Sequence, residues 1–197
     1  MKLSAKTKIC LIIGDPVEHS LSPAMHNAGY VALGIDNQFV YLGAQVKVED
    51  VGTVVQAMRK IGIHGLTCTI PHKVEVMKYL DEIDETAKKI GAVNTVLNKQ
   101  GRLIGFNTDW QGVVIPLEKI TSLSGKRIMV LGAGGAARAV VYGLLKKGAV
   151  VQIFNRTKEK AIKLADEFQC QTTDQREESE ISNFDIIVNK TSVGMKP

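Results

Sequence analysis

Residues 126–131 read Lys-Arg-Ile-Met-Val-Leu and run directly into Gly132-Ala133-Gly134-Gly135-Ala136-Ala137. An apolar run this short, bounded by glycines, is a strand buried on both faces. In the GxGxxA spacing the first glycine permits a tight strand-to-helix turn. The second lets the backbone approach a pyrophosphate, and the small last residue lets the helix pack closely on the strand. The helix that follows, to about Lys147, offers free N–H groups and the positive end of its dipole. A second strand over 150–154, a helix over 158–168 and a third strand over 185–188 continue the pattern. This is the first half of a doubly wound nucleotide-binding domain. The spacing alone also occurs in βα turns that bind nothing, so its place between a strand and a helix carries the reading.

The end of the second strand chooses between cofactors. NAD-binding chains usually place Asp or Glu there, on the ribose hydroxyls. This chain has Phe154-Asn155-Arg156-Thr157-Lys158 instead. No acid is present, and the Arg156 guanidinium suits a 2′-phosphate, which favours NADP. An arginine that merely caps the strand in solvent would leave the same sequence.

The first hundred residues alternate β and α patterns, the mark of an α/β sheet domain. Strands are expected over 9–13, 37–43 and 65–70. A hairpin is expected over 93–105, where Lys99-Gln100-Gly101 signals the turn. Helices are expected over 22–33, 51–61, 74–79 and 82–90, with Ser22 as N-cap and Pro23 in the first helical position. A connecting helix follows over 109–120. The fold class is therefore an N-terminal α/β domain (1–106) followed by a Rossmann domain (107–197).

Two groups in this frame suit proton transfer. Lys73 follows Thr69-Ile70-Pro71-His72, and Asp109 follows Gly105-Phe106-Asn107-Thr108. Both lie just past strand ends, where α/β ligand sites gather. A lysine and a carboxylate can move a proton during carbonyl reduction; a surface ion pair is the other reading of the same two residues. Ser20 and Ser22 place two hydroxyls at a helix start, fit for a small carboxylate or for simple capping.

Composition narrows the remaining classes. The 197 residues are 45% hydrophobic and 23% charged, with a formal net charge of +5. The charges are interleaved, which argues against a nucleic-acid patch. The apolar stretch from Ile9 to Ile13 is too short for a signal segment or a membrane span. Cys10, Cys68 and Cys170 lack metal spacing and read as buried free thiols of a reducing compartment. His19, His26, His64 and His72 share no ligand spacing, so no metal is expected. The protein is expected in the cytoplasm.

Taken in order, these motifs resemble one family, the shikimate dehydrogenases, over nearly the whole chain. The carrying segments are residues 14–27 (GDPVEHSLSPAMHN), 65–73 (GLTCTIPHK), 90–95 (IGAVNT), 105–109 (GFNTD), 132–137 (GAGGAA), 155–157 (NRT) and 189–195 (NKTSVGM). The resemblance implies NADPH-dependent, reversible reduction of 3-dehydroshikimate in aromatic amino acid (chorismate) biosynthesis. It implies that Ser20 and Ser22 bind the substrate carboxylate and that Thr69, Asn94 and Asp109 hold ring hydroxyls. Lys73 and Asp109 become the catalytic pair. Gly132, Ala133, Gly134, Gly135 and Ala136 take the pyrophosphate, and Asn155, Arg156, Thr157 and Lys160 the 2′-phosphate. Gly194 and Met195 lie near the nicotinamide.

The chain departs from the family pattern at Thr67-Cys68-Thr69, where the family usually has Asn-Val-Thr. It departs again at Lys190-Thr191-Ser192, where the family often has Ala-Thr-Pro. The family also continues beyond the Gly-Met motif, so a Rossmann domain incomplete at its C-terminus and a weakly active or inactive fragment are expected. A quinate/shikimate dehydrogenase and a non-catalytic binder of a metabolite or NADP are the competing functions. A monomer or homodimer is expected.

Overall fold

The computed structural model describes residues 3–174, 181–191 and 193. The chain divides into two compact units, residues 1–107 and 108–197.

The first unit is built on a six-stranded sheet in the order β2-β1-β3-β5-β6-β4. β1 (Lys8–Gly14) is the apolar run of the sequence, with Ile12 and Ile13 buried. It pairs in parallel with β2 (Phe39–Gln45) and with β3 (Gly65–Cys68). β5 (Thr95–Lys99) runs antiparallel to β3, and the hairpin returns through β6 (Arg102–Phe106). Gln100 and Gly101 have φ of 55° and 89°, the left-handed pair that a tight two-residue hairpin turn requires. Helix α2 (Val51–Ile61) buries Val51, Val55 and Met58 against Leu66, Cys68, Val96 and Leu103. Gly62, at φ 72°, ends it in the left-handed conformation that costs glycine least.

Helix α1 (Ser22–Ala32) starts one residue earlier than expected. Leu21 is the N-cap, and Ser22 is the first helical residue and caps nothing with its side chain. The expected helix over 74–79 is a five-residue 3₁₀ turn, Glu75–Tyr79. The expected helix over 82–90 is shorter than predicted. Glu82–Ile83 forms β4, paired with β6, and α3 spans only Glu85–Ile90. The cause is local: Asp84 Oδ1 accepts the Ala87 N–H at 3.0 Å, a cap that fixes the helix start behind it. β3 stops at Cys68 rather than at residue 70, because the chain turns there, the His72 N–H donating back to Thr69 O.

The second unit carries a parallel sheet in the order β10-β7-β8-β9. Its strands are β7 (Arg127–Leu131), β8 (Val150–Phe154), β9 (Gln171–Thr172) and β10 (Ile186–Asn189). β9 was not expected; it pairs with β8 through only two residues. Helix α4 (Asp109–Glu118) packs on α5 (Gly135–Lys146), where a Cβ on Gly143 would lie 2.8 Å from Val114. α5 and α6 (Lys158–Phe168) bury Val140, Leu144 and Leu164 with Val130 and Ile153 of the sheet. In chain order the four strands stand 4-1-2-3, so the order reverses between β7 and β10. The crevice at such a reversal is where doubly wound sheets bind ligands.

Candidate functional site

In the second unit the site is a cavity of about 420 Å³ at the C-terminal ends of β7, β8 and β10. Gly132, Ala133 and Gly134 line one side, Asn155 and Arg156 another. The glycines do different work. Gly132 has φ 113°, and a Cβ there would meet Lys190 O at 2.7 Å. Gly134 is exposed, and a Cβ on it would meet nothing within 4 Å. The protein therefore needs Gly132, whereas Gly134 leaves space that a ligand can use. Gly135 opens α5 and Ala136 lies in its first turn, beneath the free N–H groups of the helix start.

The β8–α6 turn is closed by Asn155, whose Nδ2 donates to Thr157 O at 2.8 Å. Arg156 is exposed, and among the described residues it has no carboxylate partner. Thr157 is the N-cap of α6 and Lys160 stands exposed in its first turn; neither lines the cavity. A glycine turn, an open Gly134 and an uncommitted guanidinium fit the parts of NADP. Gly194 and Met195 lie outside the described residues. Asp109 is the first residue of α4, half-buried, with Thr108 as N-cap.

In the first unit Thr69, Lys73 and Asn94 gather at one end of the adjacent strands β3 and β5. Thr69 N–H donates to Ile13 O at 2.9 Å, and His72 N–H returns to Thr69 O at 2.8 Å. That turn delivers Lys73, half-buried, whose carbonyl accepts the Val93 N–H at 2.8 Å. Asn94 is only 7% exposed, and its carbonyl accepts the Cys68 N–H at 2.8 Å. Because β5 runs antiparallel to β3, Asn94 before β5 and Thr69 and Lys73 after β3 lie at the same end of the strand pair. His72 is fully buried, with Nε2 2.7 Å from Val46 O, which anchors the turn to the end of β2. Burial pushes the Cys68 thiol up to about 12, against the opposing charge of nearby Lys73. Ser20 and Ser22 adjoin each other, the Ser22 N–H donating to Ser20 Oγ at 3.3 Å.

Sequence reasoning missed a second layer. The Tyr41 hydroxyl donates to Thr67 Oγ1 at 2.7 Å, and the His26 ring stacks on Tyr41 at 4.2 Å between centroids. Asn27 clasps the Tyr41 backbone on both sides, at 2.7 and 3.0 Å. So Thr67, one of the departures in the 67–69 segment, is held in a polar network. Asn189 stood in the 189–195 segment without a role; its Oδ1 accepts the Thr191 N–H at 2.9 Å and the Thr191 hydroxyl at 2.7 Å, which shapes the turn beyond β10. Of the thiols expected to be buried, only Cys68 is; Cys10 and Cys170 are half-buried. Among the described residues no group of three His, Cys, Asp or Glu could hold a metal, and no helix is long and apolar enough to cross a membrane.

The fold and the cavity define a two-unit α/β chain with a Rossmann-type dinucleotide site. Family models match both units: "Shikimate dehydrogenase substrate binding domain" over residues 12–96 and "Shikimate / quinate 5-dehydrogenase" over residues 116–195. The shikimate dehydrogenase (NADP(+)) of Shouchella clausii (strain KSM-K16) is 44% identical over 193 residues, which cover 94% of this chain and 70% of the relative. The crystal structure of shikimate dehydrogenase from Aquifex aeolicus superimposes with a TM-score of 0.92 at 43% identity, over 98% of this chain and 72% of that one. The Thermus thermophilus enzyme in complex with NADP(H) and shikimate gives a TM-score of 0.85 at 36% identity, over 95% of this chain and 70% of that one. The chain belongs to the shikimate dehydrogenase family.

Proposed function

We propose that this chain is an NADP-dependent shikimate dehydrogenase, reducing 3-dehydroshikimate reversibly to shikimate on the route to the aromatic amino acids. The observation that carries the reading is the joining of Thr69, Lys73 and Asn94 at one end of the β3–β5 pair by the Cys68–Asn94 and Val93–Lys73 backbone bonds. The first unit is then the substrate domain and the second the NADP domain. Cytoplasm is the expected compartment.

Bound nicotinamide supplies or takes the hydride. The remaining work belongs to side chains of this chain. Ser20 and Ser22 hold the substrate carboxylate, and Thr69 and Asn94 hold ring hydroxyls. Lys73 donates a proton as the carbonyl oxygen gains negative charge, and it accepts that proton in the reverse direction. Asp109 binds the reacting hydroxyl as acceptor. Arg156, with Asn155, Thr157 and Lys160, takes the 2′-phosphate, and Gly132, Gly134 and Gly135 let the pyrophosphate approach.

The test is shikimate-dependent reduction of NADP by the 197-residue chain and by Lys73→Ala, repeated with quinate and with NAD. Turnover that Lys73→Ala lowers by about 10²-fold or more supports the reading, general acid–base groups contributing about that much. Unchanged turnover in Lys73→Ala overturns the proton role. Preference for quinate would favour the quinate/shikimate reading, which the second family model's description admits. A folded chain that binds NADP and shikimate without turnover would leave two readings, a binding protein or an enzyme that needs more than the 70% of a relative's length matched here; turnover restored by adding a relative's remaining segment decides for the second.

A further inference from the structure

One residue lining the dinucleotide cavity belongs to neither the glycine turn nor the segment after β8. Lys190 follows β10 directly and lines the cavity beside Gly132 and Ala133. Its backbone is fixed on both sides. The Lys190 N–H donates to Leu131 O at 2.8 Å, and its carbonyl is the atom that a Cβ on Gly132 would strike at 2.7 Å. Asn189, one residue earlier, holds the turn that follows through Thr191. The Lys190 Cα is thereby held against the first glycine of the pyrophosphate turn. The residue is half-buried, and among the described residues its ammonium has no ion-pair partner.

We propose that Lys190 is a further cofactor-binding residue, its ammonium neutralising the pyrophosphate of the dinucleotide. The inference rests on the NADP reading above. The glycine turn offers only neutral N–H donors and the partial charge of a helix end, against two full negative charges on a pyrophosphate. A lysine beside that turn supplies a compact point charge, strengthened because the site is partly shielded from water. The role differs from that of Arg156. A 2′-phosphate distinguishes NADP from NAD, whereas the pyrophosphate is common to both. Lys190 therefore raises affinity for both cofactors and leaves the preference between them unchanged.

The experiment is a fluorescence titration of the 197-residue chain with NADPH and with NADH. It uses the wild type, Lys190→Met, Lys190→Gln, Lys190→Arg and Arg156→Ala, with each variant's melting temperature measured without cofactor. Lys190→Met and Lys190→Gln are expected to weaken both cofactors by a similar factor, about tenfold, from the loss of one charge-assisted contact. Lys190→Arg restores most of the affinity, and Arg156→Ala weakens NADPH alone. Added salt should weaken wild-type binding more than that of Lys190→Met. Wild-type affinity for both cofactors in a folded Lys190→Met or Lys190→Gln chain overturns the proposal, as does a loss confined to NADPH. If the wild type binds neither cofactor, the NADP reading itself fails and the proposal falls with it.

Discussion

Gly14 and Thr69 are in such close contact that a Cβ on Gly14 would lie 2.5 Å from Thr69 Cγ2 and 3.1 Å from Ile70 O. The end of β1 and the turn that delivers Lys73 therefore share one tightly packed point. Gly14→Ala should push Thr69 out of place at a cost of about 1–3 kcal/mol, the usual cost of overpacking. The expected outcome is a melting temperature lowered by several degrees and a raised KM for shikimate. Gly29→Ala is the control: a Cβ there meets nothing within 4 Å, and this helical glycine should gain about 0.5–1 kcal/mol as alanine. Equal melting temperatures for the two variants would contradict the close packing.

The two glycines of the dinucleotide turn should fail in different ways. Gly132→Ala forces a left-handed backbone on alanine and a clash with Lys190 O, so both folding stability and cofactor binding should fall. Gly134→Ala meets no protein atom. It should melt like the wild type yet bind NADPH at least several-fold more weakly. Paired melting curves and titrations separate the two.

Stability should fall at low pH partly through Asp81. Its carboxyl is held below the usual 3.8 by a hydrogen bond from Arg59 and by the Leu103 N–H, which donates at 2.7 Å. Arg59 also reaches Gly101 O and Tyr79 O, so the pair ties three segments together. A depressed folded value means that the unfolded chain binds the proton more readily. The contribution is complete above the unfolded value and disappears as pH falls through the folded one. Asp81→Asn should be less stable than wild type at pH 7, and the gap should shrink progressively as pH falls below the usual 3.8. A gap independent of pH, measured by urea unfolding at each pH, would refute the ionic account.

The Cys68 thiol, pushed up to about 12 by burial, should resist alkylation by iodoacetamide at pH 8 in the native chain and react fully in urea. Rapid native modification at Cys68, located by peptide mapping, would show that β3 opens.

Long, periodic segments such as α5 and β7 were legible in the sequence because pattern and burial coincide there. β9 was not, since two residues carry no period, and only the ladder to β8 defines it. Glu82 and Ile83 read as helix because an isolated pair looks like the start of the helix behind it; the Asp84 cap is what separates them. In the site, Arg156 stood out by the missing acid. The Tyr41–Thr67 contact did not, because it joins residues 26 positions apart whose types alone suggest only packing. Lys190 was visible as a departure from the family pattern. Its bearing on the cofactor depends on a backbone clasp with Gly132 that no spacing rule contains.

The antiparallel setting of β5 brings both ends of a long excursion to one place. Residues 69–94 set out beside Cys68 and come back beside it, joined by Cys68–Asn94 and Val93–Lys73. The excursion is no spare part of the domain: Glu82–Ile83 pairs with β6, and Val76 and Ala87 are buried in the core. Lys73 and Asn94 are therefore held by the same packing that holds the domain together, so their register should be lost only when the domain itself unfolds.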